Sequence, residues 1–426
     1  MLKRSLKGKL AAASLAVALA LCFLPAAAAR GPARDGAAES SDSREGRLRI
    51  FDEVWEQVRA RYFDPALGGV DWPALRREMR PLAAEARGER EFYAVLRDML
   101  GRLRDPHTRV FAPGENGDWR VLRFVSVGVS VRELAGEVVV TQVERGSAAW
   151  RAGVRPGDAV KSVEGVPAVS LGPAPARPFA AARVFDGPAG SPVNVVFASG
   201  GGRERSVRLV REERTRTPAL EVRREGGVGV VSFNVFAAET AAALARALRA
   251  ELAGSRALVV DLRDNGGGET EAMTDAASAL LPSGLSLGRF NDRGGRVRLE
   301  PFTRSAALSS AAPLARFDGP VVVLTGARTA SAAEIFAAAL KERGRARLVG
   351  EKTCGCVLAI RNRHELPDGG ILDISELDYH TAAGSRLEGS GVAPDEPLAP
   401  TREDLRRGRD RAMKRAVEIL KLMTKR

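Results

Sequence analysis

The chain has 426 residues, 45% of them hydrophobic, which is enough for two or three domains with cores of their own. Its formal net charge is +13, from 66 Lys and Arg against 53 Asp and Glu. Aromatic residues make up only 5%, and the arginines are not interleaved with them, so the composition argues against a nucleic-acid-binding surface. A weak attraction of this basic chain to anionic lipid or cell wall stays open.

The N-terminus has the pattern of a secretory signal. Basic residues precede an apolar stretch at 10–24, which is followed by small residues, and this predicts a signal peptide over residues 1–29 that is cleaved after Ala29. The apolar stretch is short for a transmembrane helix. An uncleaved anchor and lipidation at Cys22 are alternatives, although Leu21 fits a lipoprotein site poorly. Residues 30–47 indicate a flexible leader. We therefore expect a periplasmic or extracellular protein.

Residues 48–121 are expected to be an N-terminal helical segment. Apolar residues recur three and four positions apart from Ile50 to Tyr62, which is typical of an amphipathic helix. Asp71 followed by Trp72-Pro73 predicts the start of a second helix, with the aspartate as its cap. A third apolar face covers 91–103 and leads into the sequence Asp-Pro-His-Thr at 105–108.

Residues 122–213 change to short β segments and turns. Residues 146–158 read G-S-A-A-W-R-A-G-V-R-P-G-D, and a Gly-Pro-x-Gly turn follows at 187–190. This segment resembles a PDZ domain of the bacterial, circularly permuted type. Such a domain binds the C-terminal tail of a protein as an added strand, and the resemblance implies that Val127, Gly128 and Val129 form the carboxylate-binding loop. The alternative is a PDZ-like spacer that binds no other chain.

Residues 214–400 alternate strand-like and helix-like segments, which predicts an α/β core with buried strands. The apolar strand at 257–260 leads into D-L-R-D-N-G-G-G at 261–268, and the strand at 320–325 leads into a helix that starts at Ser331. Residues 401–426 predict a basic C-terminal helix, which we expect to be exposed.

Ser331 has two interpretations. A serine hydroxyl at a helix N-terminus lies beside unpaired backbone N–H groups and the positive end of the helix dipole, which suits a nucleophile with an oxyanion hole. The sequence Ser331-Ala-Ala-Glu334 also fits the helix capping box, in which the hydroxyl only satisfies a backbone N–H. The segment alone favours the cap.

The order of the motifs changes that balance. A helical segment ending in D-P-H-T, a PDZ domain, D-L-R-x-N-G-G-G, T-A-S-A-A-E and G-E-K-T together resemble the carboxyl-terminal processing (tail-specific) peptidases over residues 48–398. The resemblance implies a ClpP/crotonase-like α/β peptidase core, protein substrates with free C-termini, and Ser331 as the nucleophile. It also implies an oxyanion hole built from the N–H of Ala332 and that of Gly266 or Gly267, with no cofactor or metal.

The chain departs from that family at the general base. The family pattern has a lysine where this chain has Cys356, and Lys352 lies four residues too early, roughly 13 Å away along a strand. The tricorn-like branch, which resembles this chain more closely here, uses a histidine before the PDZ domain and a later glutamate. The resemblance therefore implies Ser331 as nucleophile, His107 as base and Glu388 to orient the imidazole.

The other titratable candidates are expected to have no part in the chemistry. His364 and His380 lie in β-like stretches and are interpreted as structural. Cys354 and Cys356 are too close for an unstrained bridge, and their redox state is left open. The rival hypothesis is a catalytically inactive scaffold that presents the PDZ domain, and labelling of Ser331 by a serine-reactive probe would discriminate. An acyl-CoA enzyme of crotonase-like fold is disfavoured by the PDZ domain and the signal peptide.

Overall fold

The structure is a computed structural model that describes residues 40–115, 122–170, 185, 187–305 and 316–425. The predicted signal peptide with Cys22 and most of the predicted leader lie outside these residues, and the first helix begins at Arg44. Among the described residues, no helix has both the length and the apolar character needed to cross a bilayer. The helices are α1 (Arg44–Arg61), α2 (Trp72–Glu85), α3 (Glu89–Gly101), α4 (Ala148–Arg151), α5 (Ala238–Arg249), α6 (Thr270–Ser278), α7 (Ala332–Glu342), α8 (Arg402–Arg406) and α9 (Arg411–Met423).

Within the described residues, the strands form three larger sheets and one two-stranded ribbon. They are β1 (Arg109–Phe111), β2 (Leu122–Ser126), β3 (Val129–Leu134), β4 (Glu137–Val143), β5 (Ala159–Val163), β6 (Val166–Pro167), β7 (Pro192–Ala198), β8 (Glu204–Val210), β9 (Glu212–Arg216), β10 (Leu220–Glu225), β11 (Val228–Phe233), β12 (Ala257–Asp261), β13 (Arg289–Asp292), β14 (Val297–Leu299), β15 (Val321–Thr325), β16 (Ala346–Gly350), β17 (Ala359–Glu365), β18 (Ile371–His380) and β19 (Glu396–Pro397).

The N-terminal helices α1 to α3 share one core with a sheet of the C-terminal half. As predicted, Asp71 caps α2, because its carboxylate accepts the N–H of Ala74 at 2.9 Å. Trp55 and Trp72 each donate the indole N–H to the other's backbone carbonyl at 3.0 Å, which joins α1 to α2. Strand β1 pairs antiparallel with β18, so the helices pack against that sheet.

The PDZ segment is inserted between the N-terminal helices and the core. Strands β2 and β9 pair antiparallel where the chain enters and leaves this segment, so its two ends lie side by side. Between them, the sheet order is β3-β4-β5-β7-β8, with β6 beside β5. Ser147 caps the short helix α4, because its hydroxyl accepts the N–H of Trp150 at 3.2 Å.

The central sheet has the order β10-β11-β12-β15-β16-β19, and β11 to β19 run parallel. Strands β12 and β15 are made almost entirely of buried aliphatic residues, as expected for strands covered on both faces. Helices α5, α6 and α7 cover one face. This arrangement confirms the predicted α/β class.

The C-terminal helix is not exposed, and that expectation was wrong. Helix α9 packs on the second face of the central sheet, where Met413, Val417 and Leu420 contact the valines of β11, β12 and β15. Its charges lie on the opposite side, so the basic composition concealed an apolar stripe at helical spacing. The last helix of the chain is therefore part of the core that supports the parallel strands.

Candidate active site

Ser331 lies where the chain leaves the C-terminal end of β15 and enters α7. In an open parallel sheet, this edge is where ligands bind. Ser331 has φ 55° and ψ −125°, a left-handed conformation that a non-glycine residue adopts only under constraint. Its N–H donates to the carbonyl of Cys356 at 2.8 Å. The Glu334 half of the capping box is formed, but among the described residues no hydrogen bond joins the hydroxyl of Ser331 to a backbone N–H of α7.

The buried side chain of Glu334 fixes the turn that contains Ser331. This side chain is fully buried, and one carboxylate oxygen accepts the N–H of Ser331 at 3.1 Å and that of Cys356 at 2.9 Å. The other oxygen accepts the N–H of Gly355 at 2.7 Å and the hydroxyl of Thr353. Burial raises the pKa of Glu334, although these hydrogen bonds oppose the shift. The glutamate of the S-x-x-E pattern is thus used to fix the backbone of Ser331.

The glycine turn after β12 packs directly against Ser331. A Cβ on Gly267 would lie 2.6 Å from the Cβ of Ser331 and 2.8 Å from the carbonyl oxygen of Ala330, so only glycine allows this approach. Gly267 donates its N–H to the Oδ1 of the buried Asn265 at 2.9 Å, and Gly266 donates to the carbonyl of Asn234 at 3.3 Å.

Among the described residues, the N–H of Ala332 makes no hydrogen bond, whereas both glycine N–H groups have partners in this conformation. The oxyanion roles of Ala332, Gly266 and Gly267 remain predictions. The long bond from Gly266 is the weaker of the two glycine bonds and would be the easier one to redirect toward a developing oxyanion.

His107 lies between α3 and β1, and its side chain is 21% exposed. Its Nδ1 is buried without a hydrogen-bond partner and lies 3.6 Å from the Oδ1 of Asp105. Asp105 accepts the N–H of His107 at 2.8 Å and both the N–H and the hydroxyl of Thr108. Burial works to raise the pKa of Asp105, but the side chains of His107, Ser375 and Thr108 and the backbone N–H of His107 outweigh it, and the pKa falls below its ordinary value. An ionised carboxylate therefore lies beside the imidazole.

Glu388 lies close enough to this pair to interact with it electrostatically. One carboxylate oxygen of Glu388 accepts the N–H of Val357 at 2.7 Å and that of Leu358 at 3.2 Å. Burial is the main cause that raises the pKa of Glu388; the charge of Asp105 adds to the rise, and His107 opposes it. Within the described residues, no hydrogen bond joins His107 to Glu388 or to Ser331, so the predicted triad is not hydrogen-bonded in this conformation.

Cys356, at the place of the family lysine, is joined to Cys354 by a disulfide, with the two Cα atoms 5.2 Å apart. The sequence had left the redox state of this pair open. Lys352 is exposed. Residues 351–358, which contain the bridge, adopt neither helix nor strand.

The predicted carboxylate loop of the PDZ segment lies at the start of β3. Gly128 has φ 82° and donates its N–H to the hydroxyl of Ser126 at 2.9 Å, and the carbonyl of Val127 accepts the N–H of Ala149 at 3.1 Å. Of the described strands, only β4 pairs with β3, so the other edge of β3 carries unpaired backbone groups. Peptide binding by Val127, Gly128 and Val129 remains a prediction.

The PDZ segment also contacts the loops that surround Ser331. Arg132 on β3 forms an ion pair with Glu351, which follows β16, and Gln142 on β4 donates to Asp264 beside the glycine turn. Between β3 and the core lies a cavity of about 1010 Å³, lined on the core side by residues 263–264 and 325–328 among others. The PDZ segment and residues 325–328, which precede the Ser331 turn, therefore line the same cavity.

Comparison with known proteins finds three family profiles in different parts of the chain. The profile of the Tricorn protease C1 domain matches residues 43–101, that of the PDZ domain residues 139–198, and that of Peptidase family S41 residues 227–398. The carboxyl-terminal-processing protease of Synechocystis sp. is 31% identical over 361 residues, which are 82% of this chain and 80% of that protein. This chain belongs to the carboxyl-terminal processing peptidases of family S41.

Further relatives support the same assignment. The carboxyl-terminal-processing protease of Picosynechococcus sp. is 30% identical to this peptidase over 356 residues, 81% of each chain. A solved structure of the photosystem II D1 C-terminal processing protease matches with TM-score 0.56 and 28% identity, and covers 83% of this peptidase and 93% of that chain. Mature CPAF in complex with lactacystin matches with TM-score 0.66 at 14% identity, covering 89% of this peptidase and 98% of that chain, which shows a shared fold alone.

Family membership identifies the chain as a serine-type peptidase, with protein or peptide substrates, and argues against the acyl-CoA enzyme. The inactive scaffold remains an alternative, because it rests on the missing lysine. Family membership leaves the individual residue roles as predictions. Two residues of the site escaped the sequence analysis. Asp105 was quoted only as part of the D-P-H-T segment, although an acid two residues before a histidine was a visible signal. Glu334 was considered only as a capping residue, because a sequence does not show that a carboxylate is buried among four donors.

Proposed function

We propose that this peptidase is an exported serine endopeptidase that cleaves proteins near or from their C-termini, with Ser331 as nucleophile, His107 as general base and Glu388 to orient the imidazole. The observation that carries the proposal is the conformation of Ser331. Its backbone is held in a left-handed turn by Cys356 and Glu334, while its hydroxyl makes no capping bond. A serine constrained in this way at a helix N-terminus is available for nucleophilic attack.

The surroundings of Ser331 favour negative charge on a substrate oxygen. The N–H of Ala332 belongs to the first turn of α7, where the helix dipole is positive. When the hydroxyl attacks a scissile carbonyl, the new oxyanion would accept this N–H and a second N–H from the glycine turn. Removing one such donor costs an acyl-transfer enzyme about 10²–10³ in kcat.

Histidine suits the base because its ordinary pKa lies near neutrality, whereas a lysine base must be kept neutral by burial. His107 is mostly buried beside two carboxylates, but Lys352 is exposed. The imidazole would accept the proton of the Ser331 hydroxyl and later donate it to the leaving amine. Because no hydrogen bond joins these two side chains here, we expect them to approach when substrate binds, as is common for catalytic pairs.

Substrate recognition is assigned to the PDZ segment. The open edge of β3 can accept a C-terminal tail as an added strand, and backbone N–H groups near Gly128 can bind its carboxylate. The cavity beside β3 reaches residues 325–328, which lead to Ser331. A tail held on β3 would therefore lie on the side of the core where cleavage takes place.

The deciding experiment follows cleavage of an unfolded protein by the purified mature chain, beside Ser331→Ala, His107→Ala and the matched control Lys352→Ala. We expect loss of activity in the first two variants and full activity in the control. Activity that survives in His107→Ala and disappears in Lys352→Ala would refute the histidine base. A substrate with an amidated C-terminus should be cut more slowly, and equal rates would refute recognition of the free tail.

The orienting carboxylate needs its own comparison, because Asp105 lies nearer than expected to the imidazole. If Glu388 orients His107, Glu388→Gln shifts the acid limb of the pH profile of kcat/KM, since that limb reports the base in the free enzyme. Asp105→Asn also removes a charge beside the imidazole and should move that limb too, so kcat at the pH optimum separates the two roles and should fall more in Glu388→Gln. A larger fall of kcat in Asp105→Asn would give the orienting role to Asp105.

Export is proposed from the basic and apolar pattern of residues 1–29, and a disulfide between Cys354 and Cys356 suits an oxidising compartment. N-terminal sequencing of the protein from the periplasmic or secreted fraction should begin at Arg30. An intact N-terminus in the cytoplasmic fraction would contradict export. Association with membrane or cell wall, if it is electrostatic, should be removed by washing with salt.

A further inference from the structure

The disulfide lies at the centre of a loop that binds three parts of the proposed site. In residues 353–358, the N–H groups of Gly355 and Cys356 donate to Glu334, and the carbonyl of Cys356 accepts the N–H of Ser331. The next two N–H groups, of Val357 and Leu358, donate to Glu388. The loop thus fixes the backbone of the proposed nucleophile on one side and the proposed orienting carboxylate on the other.

A second contact joins this loop to the residue that follows Glu388. The carbonyl of Gly355 accepts the N–H of Gly389 at 2.8 Å, and a Cβ on Gly355 would lie only 3.0 Å from the backbone of Gly389. Gly355 has φ 72°, so the residue between the two cysteines is in the left-handed region. The bonds to the N–H of Ser331 and the N–H of Gly389 therefore come from the Cys-Gly-Cys turn itself, and those to the Glu388 carboxylate come from the two residues that follow it.

The bridge is the covalent constraint on a loop without regular secondary structure. The hydrogen bonds of this loop are all made to other segments of the chain. The position of the loop relative to those segments therefore depends on the conformation of the turn. The two sulfur atoms of a disulfide are about 2 Å apart, and they move apart to non-bonded contact when the bridge is broken. The backbone on either side of Gly355 must then adjust. A displacement of reacting groups by about 1 Å can lower the reaction rate about 10²-fold. A small change in the backbone of this turn would therefore lower the rate by displacing Ser331.

We infer that the Cys354–Cys356 disulfide is a positioning group of the peptidase reaction, which holds residues 353–358 in the conformation that aligns Ser331 with Glu388. The inference rests on the proposed function of Ser331. It assigns a role to the cysteine that stands where the family pattern has a lysine: Cys356 supplies the constraint, and the base comes from another segment. The reduced enzyme keeps its fold and its PDZ segment but turns over slowly.

Reduction is accessible to a small dithiol, because both cysteines are only partly buried. A thiolate of the dithiol attacks one cysteine sulfur, and the Cys354–Cys356 bond breaks to leave a mixed disulfide and a cysteine thiolate. The second thiol of the reagent then resolves the mixed disulfide. The products are two protonated cysteine thiols in the enzyme and the oxidised cyclic reagent, so electrons and protons balance.

The test equilibrates the mature enzyme in a series of dithiothreitol redox buffers. The fraction of reduced Cys354 and Cys356 is measured by alkylation and peptide mass spectrometry, and kcat and KM are measured on a peptide substrate with a free C-terminus. We expect kcat to fall about tenfold or more in parallel with reduction, KM to change less than about twofold, and reoxidation to restore kcat. A group that merely stabilised the fold would not produce this reversible loss of kcat at constant far-UV circular dichroism.

The variant Cys354→Ser with Cys356→Ser should have the low kcat of the reduced enzyme and should not respond to the buffer, while Lys352→Ala in the same loop should behave like the parent. If the double variant does not fold, the titration of the parent alone decides. Full kcat in the reduced parent would overturn the inference while Ser331→Ala still abolishes activity. Activity that persists in oxidised Ser331→Ala would instead overturn the proposed function, and this inference with it.

Discussion

The close approach of the glycine turn to Ser331, the proposed nucleophile, can be tested by adding one methyl group. In Gly267→Ala, the new Cβ would lie 2.6 Å from the Cβ of Ser331 and 2.8 Å from the carbonyl oxygen of Ala330. Neither neighbour can rotate away, because one is a backbone atom and the other is the first atom of its side chain. The turn or the serine must therefore move.

Two costs add at this position. Gly267 has φ 101°, and an alanine there pays about 1–3 kcal/mol for the left-handed backbone. Overpacking of this kind adds typically about 1–3 kcal/mol. We expect the free energy of unfolding to fall by about 2–6 kcal/mol, and kcat to fall about 10²-fold if the overlap moves Ser331 by about 1 Å.

A matched control separates the two costs. Gly369 has φ 85° in the turn between β17 and β18, and a Cβ there would meet nothing within 4 Å. Gly369→Ala should therefore show the backbone cost alone and keep full activity. Urea unfolding gives the stabilities and peptide cleavage gives kcat. The reasoning is refuted if Gly267→Ala unfolds at the same urea concentration as Gly369→Ala and keeps the activity of the parent.

Four further predictions follow from the same geometry. Glu334→Gln should lower the free energy of unfolding by about 2–4 kcal/mol in urea, because an amide accepts at only one of its two ends and leaves buried N–H donors unpaired; an unchanged midpoint would contradict this. Ser331→Gly should be more stable than Ser331→Ala by about 1 kcal/mol, since glycine adopts φ 55° without strain, and equal midpoints would count against a strained turn. The folded-state pKa of Glu388 is raised above its ordinary 4.5, so its stabilising contribution is present below that pH and is lost as the pH rises through the folded pKa. Glu388→Gln should therefore gain stability relative to the parent between pH 4 and pH 8, measured by urea unfolding at each pH, and a constant difference would show that the carboxyl is not perturbed. Leu420→Ala in α9 should cost about 2–5 kcal/mol in thermal or urea unfolding, whereas an exposed C-terminal helix would tolerate it.

Much of the fold follows from local patterns in the sequence. The apolar runs at β12 and β15 are too short for helices and are followed by glycine or small residues, so buried parallel strands were predictable. Asp71 marks the start of α2 because an aspartate before Trp-Pro is a strong cap. Helix α9 was misjudged because its charges dominate the composition, while its burial depends on a sheet face that only the tertiary structure defines.

The site was predictable only in part, for a physical reason. Ser331 and the glycine turn follow adjacent parallel strands, and such strand ends meet at one edge of the sheet. The partners of Glu334, by contrast, come from residues 353–356, and a sequence does not indicate which N–H groups a buried carboxylate will accept. The nearness of Asp105 to the Nδ1 of His107 likewise depends on a turn that local propensity does not specify.

The change from lysine to cysteine and the proposed use of histidine can be understood together. A lysine is protonated at neutral pH unless burial lowers its pKa, whereas the ordinary pKa of histidine lies near neutrality, so a histidine base does not need that burial. His107 belongs to the part of the protein that is built on α1 to α3 and β18. Its neighbour Thr108 accepts the N–H of Ser375 on β18, and β1 pairs with the same strand. On this argument the helices α1 to α3 position the base, although they lie outside the segment that matches the peptidase family. Loss of their packing should therefore abolish cleavage while Ser331 and its turn stay in place.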